Sequence, residues 1–260
     1  MSKRKKAPQG RKPKYSDNYI IGLAVYQKLA KIKHAQAMLA LLASLAQDVP
    51  AASTFSERKS ALVGQIILAV KQVCAKQQAT AVRQHLDSKK LALIDIARAK
   101  RTQLAGAYGY DHIHKCYFYG FRLHALVDDH GKFCRLLLRP ANEHDVAVAA
   151  RLLNHLNYTI VTADKAYISQ DLKLALDKQA VHLVTPTRSN QLPPPKAEKT
   201  LYKGHRIVET AFSSLDNLGF SDRPYRSTLG FVLHVYITIL TYQLQDILST
   251  SWTHALFLIR

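Results

Sequence analysis

Asn157-Tyr-Thr-Ile-Val-Thr-Ala-Asp164-Lys-Ala-Tyr-Ile168 sets a run of β-branched residues directly before a single carboxylate. Thr159, Ile160, Val161 and Thr162 are stiff at the first side-chain torsion, which suits an enclosed strand better than a helix. Asp164 stands where that strand runs out, ahead of a segment from Ser169 to Ala180 with helical spacing. Open α/β sheets carry their working residues at the carboxyl ends of strands, so an acid here is a candidate for chemistry. An Asp in the same place can also cap the turn that follows.

Before this strand, Val82 to Asp87 reads as extended, ending or pausing at Asp87-Ser88-Lys89, with more apolar sequence from Leu91 to Ile96. Cys116 to Val127 alternates with aromatic strand character, Asp128-Asp129-His130-Gly131 is a turn, and Phe133 to Arg139 returns as its hairpin partner. Asp145 to His155 is a helix. After the central strand come the helix Ser169 to Ala180, a short strand Val181 to Thr185, a polar loop through Pro193-Pro194-Pro195, and a helix Lys203 to Leu218. Three hairpin-linked strands followed by two crossover units predict an α/β domain over residues 81–260, a mixed five-stranded sheet flanked by helices. The last helices are Thr228 to Leu248 and Trp252 to Ile259.

Ahead of the sheet lie a basic flexible arm, residues 1–14, and a helical region, residues 15–80. The spacing predicts helices over Asp17 to Lys33 and Ala35 to Gln47. Thr54 and Glu57 resemble a capping box opening a third helix, whose apolar stripe is Leu62, Ile66, Ala69 and Val73. The region suits a DNA-binding module or a packing bundle equally.

Lys and Arg number 37 against 18 Asp and Glu, a formal net charge of +19. So large and widely spread an excess points to a polyanionic partner that presents phosphates, with an anionic membrane surface as the competing partner. The uncharged run from Ser227 to Gln245 contains Gly230, His234 and Gln243 and reads as an interior helix rather than a bilayer span. Cys74, Cys116 and Cys134 lack any paired spacing, which argues against a disulfide framework and fits a reducing cytoplasm. His112, His114 and Cys116 have metal-like spacing without a fourth ligand, so they read as ordinary strand residues. Asn142, His144 and Asp145 read as a turn and helix cap, with Asp145 preceding its helix. Tyr117, Phe118, Tyr119 and Phe121 suit sheet packing or base stacking.

Acids fall on three elements of this plan. Asp87 lies on the first strand, with Asp95 a rival on the same stretch. Asp164 ends the fourth strand, and Glu209 lies beside the apolar position Val208 on the helix after the fifth. If the first and fourth strands are neighbours, both Asp carboxylates meet at one end of the sheet, and a helix across that end adds Glu209. Three such acids repel one another unless divalent cations relieve them, and their hard oxygens suit Mg2+ or Mn2+. Two ions about 4 Å apart support phosphodiester cleavage.

His85-Leu-Asp-Ser-Lys89, Phe118-Tyr-Gly-Phe-Arg-Leu-His124, Pro140-Ala-Asn-Glu-His-Asp145, Ala163-Asp-Lys-Ala-Tyr167 and Arg206-Ile-Val-Glu-Thr-Ala-Phe212 resemble the signature blocks of bacterial insertion-sequence transposases. These are enzymes with a ribonuclease-H-like DDE core. Arg223-Pro-Tyr-Arg-Ser227 and Gly230-Phe231 are similar to the segment that follows the family's Glu. The resemblance runs from about residue 50 to residue 248 and implies that Asp87, Asp164 and Glu209 are the catalytic, metal-holding acids. It implies binding of terminal inverted repeats and target DNA, metal-dependent cleavage and strand transfer, a dimer on paired ends, and a bacterial cytoplasmic setting. Ala166 stands where many relatives have Gly. Tyr202 fits the family's pattern around its Glu, but His205 stands at an Arg position and Asp216 at a Lys position. Arg206, Arg223 and Arg226 are then the expected substitutes on DNA, joined by Lys89 and Lys165 beside the acids and by the cluster Arg98, Lys100 and Arg101. The altered surroundings of Glu209 also fit a different class of protein, a remnant that holds element ends without cutting.

Overall fold

The computed structural model describes residues 13–187, 196–222 and 225–258, excepting the side chains of residue 197 and residues 249–258. Arg223 and most of the basic arm lie outside the described residues. The β-branched run forms β5 (Thr159–Ala163), whose Val161, Thr162 and Ala163 are fully enclosed. It lies parallel to β1 (Arg83–Ile94) on one side, with Leu86 opposite Ala163, and to β6 (Val181–Val184) on the other. The sheet continues antiparallel from β1 to the long strand β3 (Cys116–Asp128). Both β2 (Ala107–Asp111) and β4 (Phe133–Pro140) pair with β3, the first along its opening half and the second along its closing half.

The expected mixed sheet is therefore present, with a sixth short strand. β2 was passed over in the sequence because Tyr108-Gly109-Tyr110 is too short for a periodic signal. β1 also runs on where a pause was expected. It leaves β5 after Leu86 but stays paired to β3, with Asp87 opposite Ala125, so its polar middle is held by the antiparallel ladder alone. The β3–β4 hairpin turns as predicted, and Gly131 takes φ +80°, a left-handed conformation that costs glycine least.

Helices cover both faces. On one, α5 (Asp145–Leu153) and α6 (Gln170–Asp177) bury Ala149, Leu152, Leu153, Leu172 and Leu176 against Leu86, Leu126, Val161 and Leu183. On the other, α8 (Arg206–Asn217) and α9 (Thr228–Leu258) share a core with the N-terminal helices. Those are α1 (Asp17–Leu29), α2 (Ala35–Ser44), α3 (Ala52–Ala61) and α4 (Val63–Gln78). A short α7 (Lys196–Tyr202) precedes α8.

Three expectations about helices change. The third helix opens at Ala52, directly after Pro50, and no side chain caps it, so Thr54 and Glu57 are not its start. It then breaks at Leu62 into α3 and α4. One straight helix from 52 to 78 would span roughly 40 Å; broken, α3 can lean on α1 through Arg58, while α4 buries Ile66, Val70 and Cys74. At the far end, α9 is one continuous helix rather than two. Thr228–Leu248 is long and apolar enough to cross a membrane, but Phe231, Leu233, Val235, Ile237, Ile239 and Leu240 are buried in the shared core.

Candidate active site

Strand alternation decides which side chains share a face. Leu91 and Leu93 of β1 enter the core of α8 and α9, whereas Leu86 enters the core of α5 and α6. Asp87 and His85 therefore face α8. On β5, Val161 and Ala163 face α5 and α6, so Thr162 and the following Asp164 face α8 as well. The conditional expectation that the first and fourth strands are neighbours is met. α8 is amphipathic and docks through Val208, Ala211, Phe212 and Leu215, which leaves Glu209 exposed in its first turn beside buried Val208.

Asp87 is partly buried, and that burial first, then the charges of Asp164, Glu209 and Asp145, raise its carboxyl to about 7. The amide of Ser88 donates to Asp87 Oδ1 at 2.7 Å and opposes the shift. Asp164 is exposed and makes the same local contact, accepting from the Lys165 amide at 2.6 Å. It caps the single-turn helix Lys165–Tyr167, so the structural role open to it in the sequence is real. Among the described residues, no group of three His, Cys, Asp or Glu side chains is arranged to hold a metal ion as it stands. The donor set nonetheless suits a hard cation: burial first, and the neighbouring carboxylates after it, hold a proton on Asp87 near neutrality, and a cation would relieve that cost.

Tyr202 sits against the same end. Burial, followed by the charges of Asp164, Asp87 and Glu209, pushes its hydroxyl up to about 12, and its ring stacks on His205 at 5.0 Å. Lys165 is exposed and, with Thr185, Glu198, Lys199 and Tyr202, lines a cleft of about 260 Å³ beside Asp164. Arg206 and Arg226 are exposed, at the start of α8 and just before α9. Lys89 is committed within the fold: its ammonium donates to Asp216 Oδ2 at 2.6 Å and lies over the Phe212 ring. Arg98, Lys100 and Arg101 are exposed on the short 3-10 helix Ile96–Arg101, beyond the far end of β1. Asp95, which opens this short helix, lies eight residues on from Asp87 and roughly 25 Å away at strand rise, too distant to replace it.

Sequence reasoning missed one acid. Asp145 is the first residue of α5 rather than a cap before it; His144 holds the cap position without a side-chain bond. The Asp145 carboxyl is raised, by burial first, and its charge reaches Asp87 from the opposite face of the sheet. Its Oδ1 lies 3.9 Å from His124 Nε2, and neither atom has a hydrogen-bond partner. Its place in a Pro-Ala-Asn-Glu-His-Asp block was the available signal, but turn chemistry explained that block equally well. The His112, His114, Cys116 spacing belongs to a turn in which Asp111 accepts from the Ile113 and His114 amides and the His114 ring. Phe118 is buried, Phe121 stacks on Phe231 at 5.1 Å, and Tyr117 is exposed.

A family model described as Transposase DDE domain matches residues 76–223. Among solved structures, the chain is similar to a piggyBac transposase synaptic complex with hairpin DNA, at 10% identity and a TM-score of 0.47, covering 94% of this chain and 70% of that one. It is also similar to a Mos1 transposase paired-end complex, at 13% identity and a TM-score of 0.26, covering 95% and 82%. No curated protein matches the chain.

Proposed function

Because the chain belongs to the transposase DDE domain family, we propose that it binds the terminal inverted repeats of a mobile element, cuts phosphodiester bonds there, and joins the freed 3′-hydroxyls to target DNA. Asp87, Asp164 and Glu209 are the residues to hold Mg2+ or Mn2+. The observation that carries this reading is that Asp87 on β1 and Asp164 at the end of its neighbour β5 share the face on which α8 carries Glu209 in its first turn. When bound, the metal would activate a water or 3′-hydroxyl and neutralise the leaving oxygen. Asp87 offers an oxygen from the sheet interior, its other oxygen fixed by the Ser88 amide. Asp164 offers one from the cap of the single-turn helix Lys165–Tyr167, its Oδ1 accepting from the Lys165 amide. Lys165 and Arg206, exposed at this end, can hold phosphate, and the net charge of +19 supplies affinity independent of sequence. Synapsis of two ends calls for a dimer, and the setting proposed is the bacterial cytoplasm.

The test is cleavage of DNA carrying the flanking repeats, with Mg2+ against a chelator. Wild type should cut only with metal, and Asp164→Asn should bind the same DNA yet lose at least about 100-fold in cleavage rate, as expected when a group that holds transition-state charge is removed. An Asp164→Asn protein that still cuts refutes the assignment. Wild type that binds ends but never cuts identifies a DNA-holding remnant, and cutting without regard to the repeats identifies a general nuclease.

A further inference from the structure

Each element that carries one of the three acids also contributes a second polar residue one layer further in. His85 lies two positions before Asp87 on β1, and Thr162 two before Asp164 on β5. His205 lies four before Glu209, at the entrance to α8. Two positions on a strand and four on a helix return to the same face, so the second set lies under the first. His85 and Thr162 are register partners in the parallel pair, and all three side chains are buried.

They form one hydrogen-bonded chain. His85 Nε2 lies 2.9 Å from Asp129 Oδ1, His85 Nδ1 lies 2.7 Å from Thr162 Oγ1, and His205 Nδ1 lies 3.1 Å from the same hydroxyl oxygen. The chain has one consistent direction. An ionised Asp129, also bound by Arg83 at 2.7 Å, only accepts, so the proton of neutral His85 is on Nε2. The bare Nδ1 then accepts from the Thr162 hydroxyl, whose oxygen accepts in turn from His205 Nδ1–H. A further feature makes room for this layer: a Cβ on Gly204 would stand 3.0 Å from His85 Cε1, so a side chain there would force the His85 ring or the turn before α8 to give by a few tenths of an ångström.

We propose that His85, Thr162 and His205 are positioning residues that lock β1, β5 and the start of α8 to one another, and so set the spacing of Asp87, Asp164 and Glu209. The inference rests on the proposed function and goes beyond it. A substitution that keeps shape but removes the central hydroxyl should loosen the acid trio without unfolding the protein, because outer partners of metal ligands change affinity about 10- to 100-fold.

The experiment uses the full chain with Mn2+ alone as the probe, titrated by calorimetry, alongside melting curves and nitrogen-resolved NMR of the histidine rings. Wild type should show His85 protonated at Nε2 and His205 at Nδ1. Thr162→Val should lose the slowly exchanging His205 Nδ1 proton and weaken Mn2+ binding about tenfold, while Thr162→Ser, which restores the hydroxyl, stays within about twofold of wild type. His205→Phe, which keeps a ring but removes the Nδ1–H donor, should weaken Mn2+ in the same direction, and it carries the test if Thr162→Val does not fold. Wild-type Mn2+ affinity in a folded Thr162→Val or His205→Phe, or the opposite tautomers, overturns the proposal. Wild type with these tautomers but no Mn2+ binding instead removes the metal reading of Asp87, Asp164 and Glu209, and the positioning role falls with it.

Discussion

Burial on β1, with the charges of Asp164, Glu209 and Asp145 added, keeps Asp87 protonated up to about pH 7, against 3.8 in an unfolded chain. Between those two values the folded protein binds a proton that the unfolded chain has released. Its stability therefore falls as pH rises through that window. Asp87→Asn removes this burden: in metal-free buffer it should melt higher than wild type at pH 8, by on the order of 2 kcal/mol, and equally at pH 3. Added Mn2+ should stabilise wild type and leave the variant unmoved. A wild type that melts as high as the variant at pH 8 without metal would remove the claim of a strained carboxyl. The position of Asp87 among aromatic and basic blocks was legible in the sequence. Its altered acidity was not, because burial and neighbouring charge come from α8 and β5, which are distant along the chain.

Lys89 and Asp216 join β1 to α8 at 2.6 Å, and this pair accounts for a residue that looked anomalous. The resemblance expects Lys at position 216; here the acid on the helix answers a lysine on the strand. Asp216→Lys alone should set two ammonium groups against each other and lower stability by about 0.5–1 kcal/mol, the usual scale for a partly exposed pair. The swap Lys89→Asp with Asp216→Lys should recover most of that in a urea melt. If the double variant is no better than the single, the pair is not what joins the two elements. The helical spacing from Lys203 to Leu218 predicted α8, with Val208 as an apolar position beside Glu209. The break between α3 and α4 went unseen because Leu62 is apolar and fits a continuous stripe, and only the need to reach both α1 and the sheet bends the chain there.

For the molecule as a whole, acid weakens the fold through three buried histidines. Burial first, in every case, lowers His124, His205 and His234 to about 4, so all three stay neutral in the folded state while the unfolded chain charges near 6.5. Their contribution to stability is complete above pH 6.5 and is lost as pH falls toward 4, each adding roughly 1 kcal/mol per pH unit to the slope. Melting temperature should drop steeply across that interval, and the drop should shallow in His234→Phe, which removes one such group; an unchanged slope would count against it. By itself the sequence determined five of the six strands, most helices and the family, and it singled out the three acids now proposed as catalytic, because these are written in local periodicity, β-branching and short ordered motifs. The tertiary structure alone decided the shared core of N-terminal and C-terminal helices, the extra strand β2, the approach of Asp145 and the polar layer beneath the acids. Those depend on which residues meet across long stretches of chain, and pairing at that range is fixed by packing rather than by any local pattern.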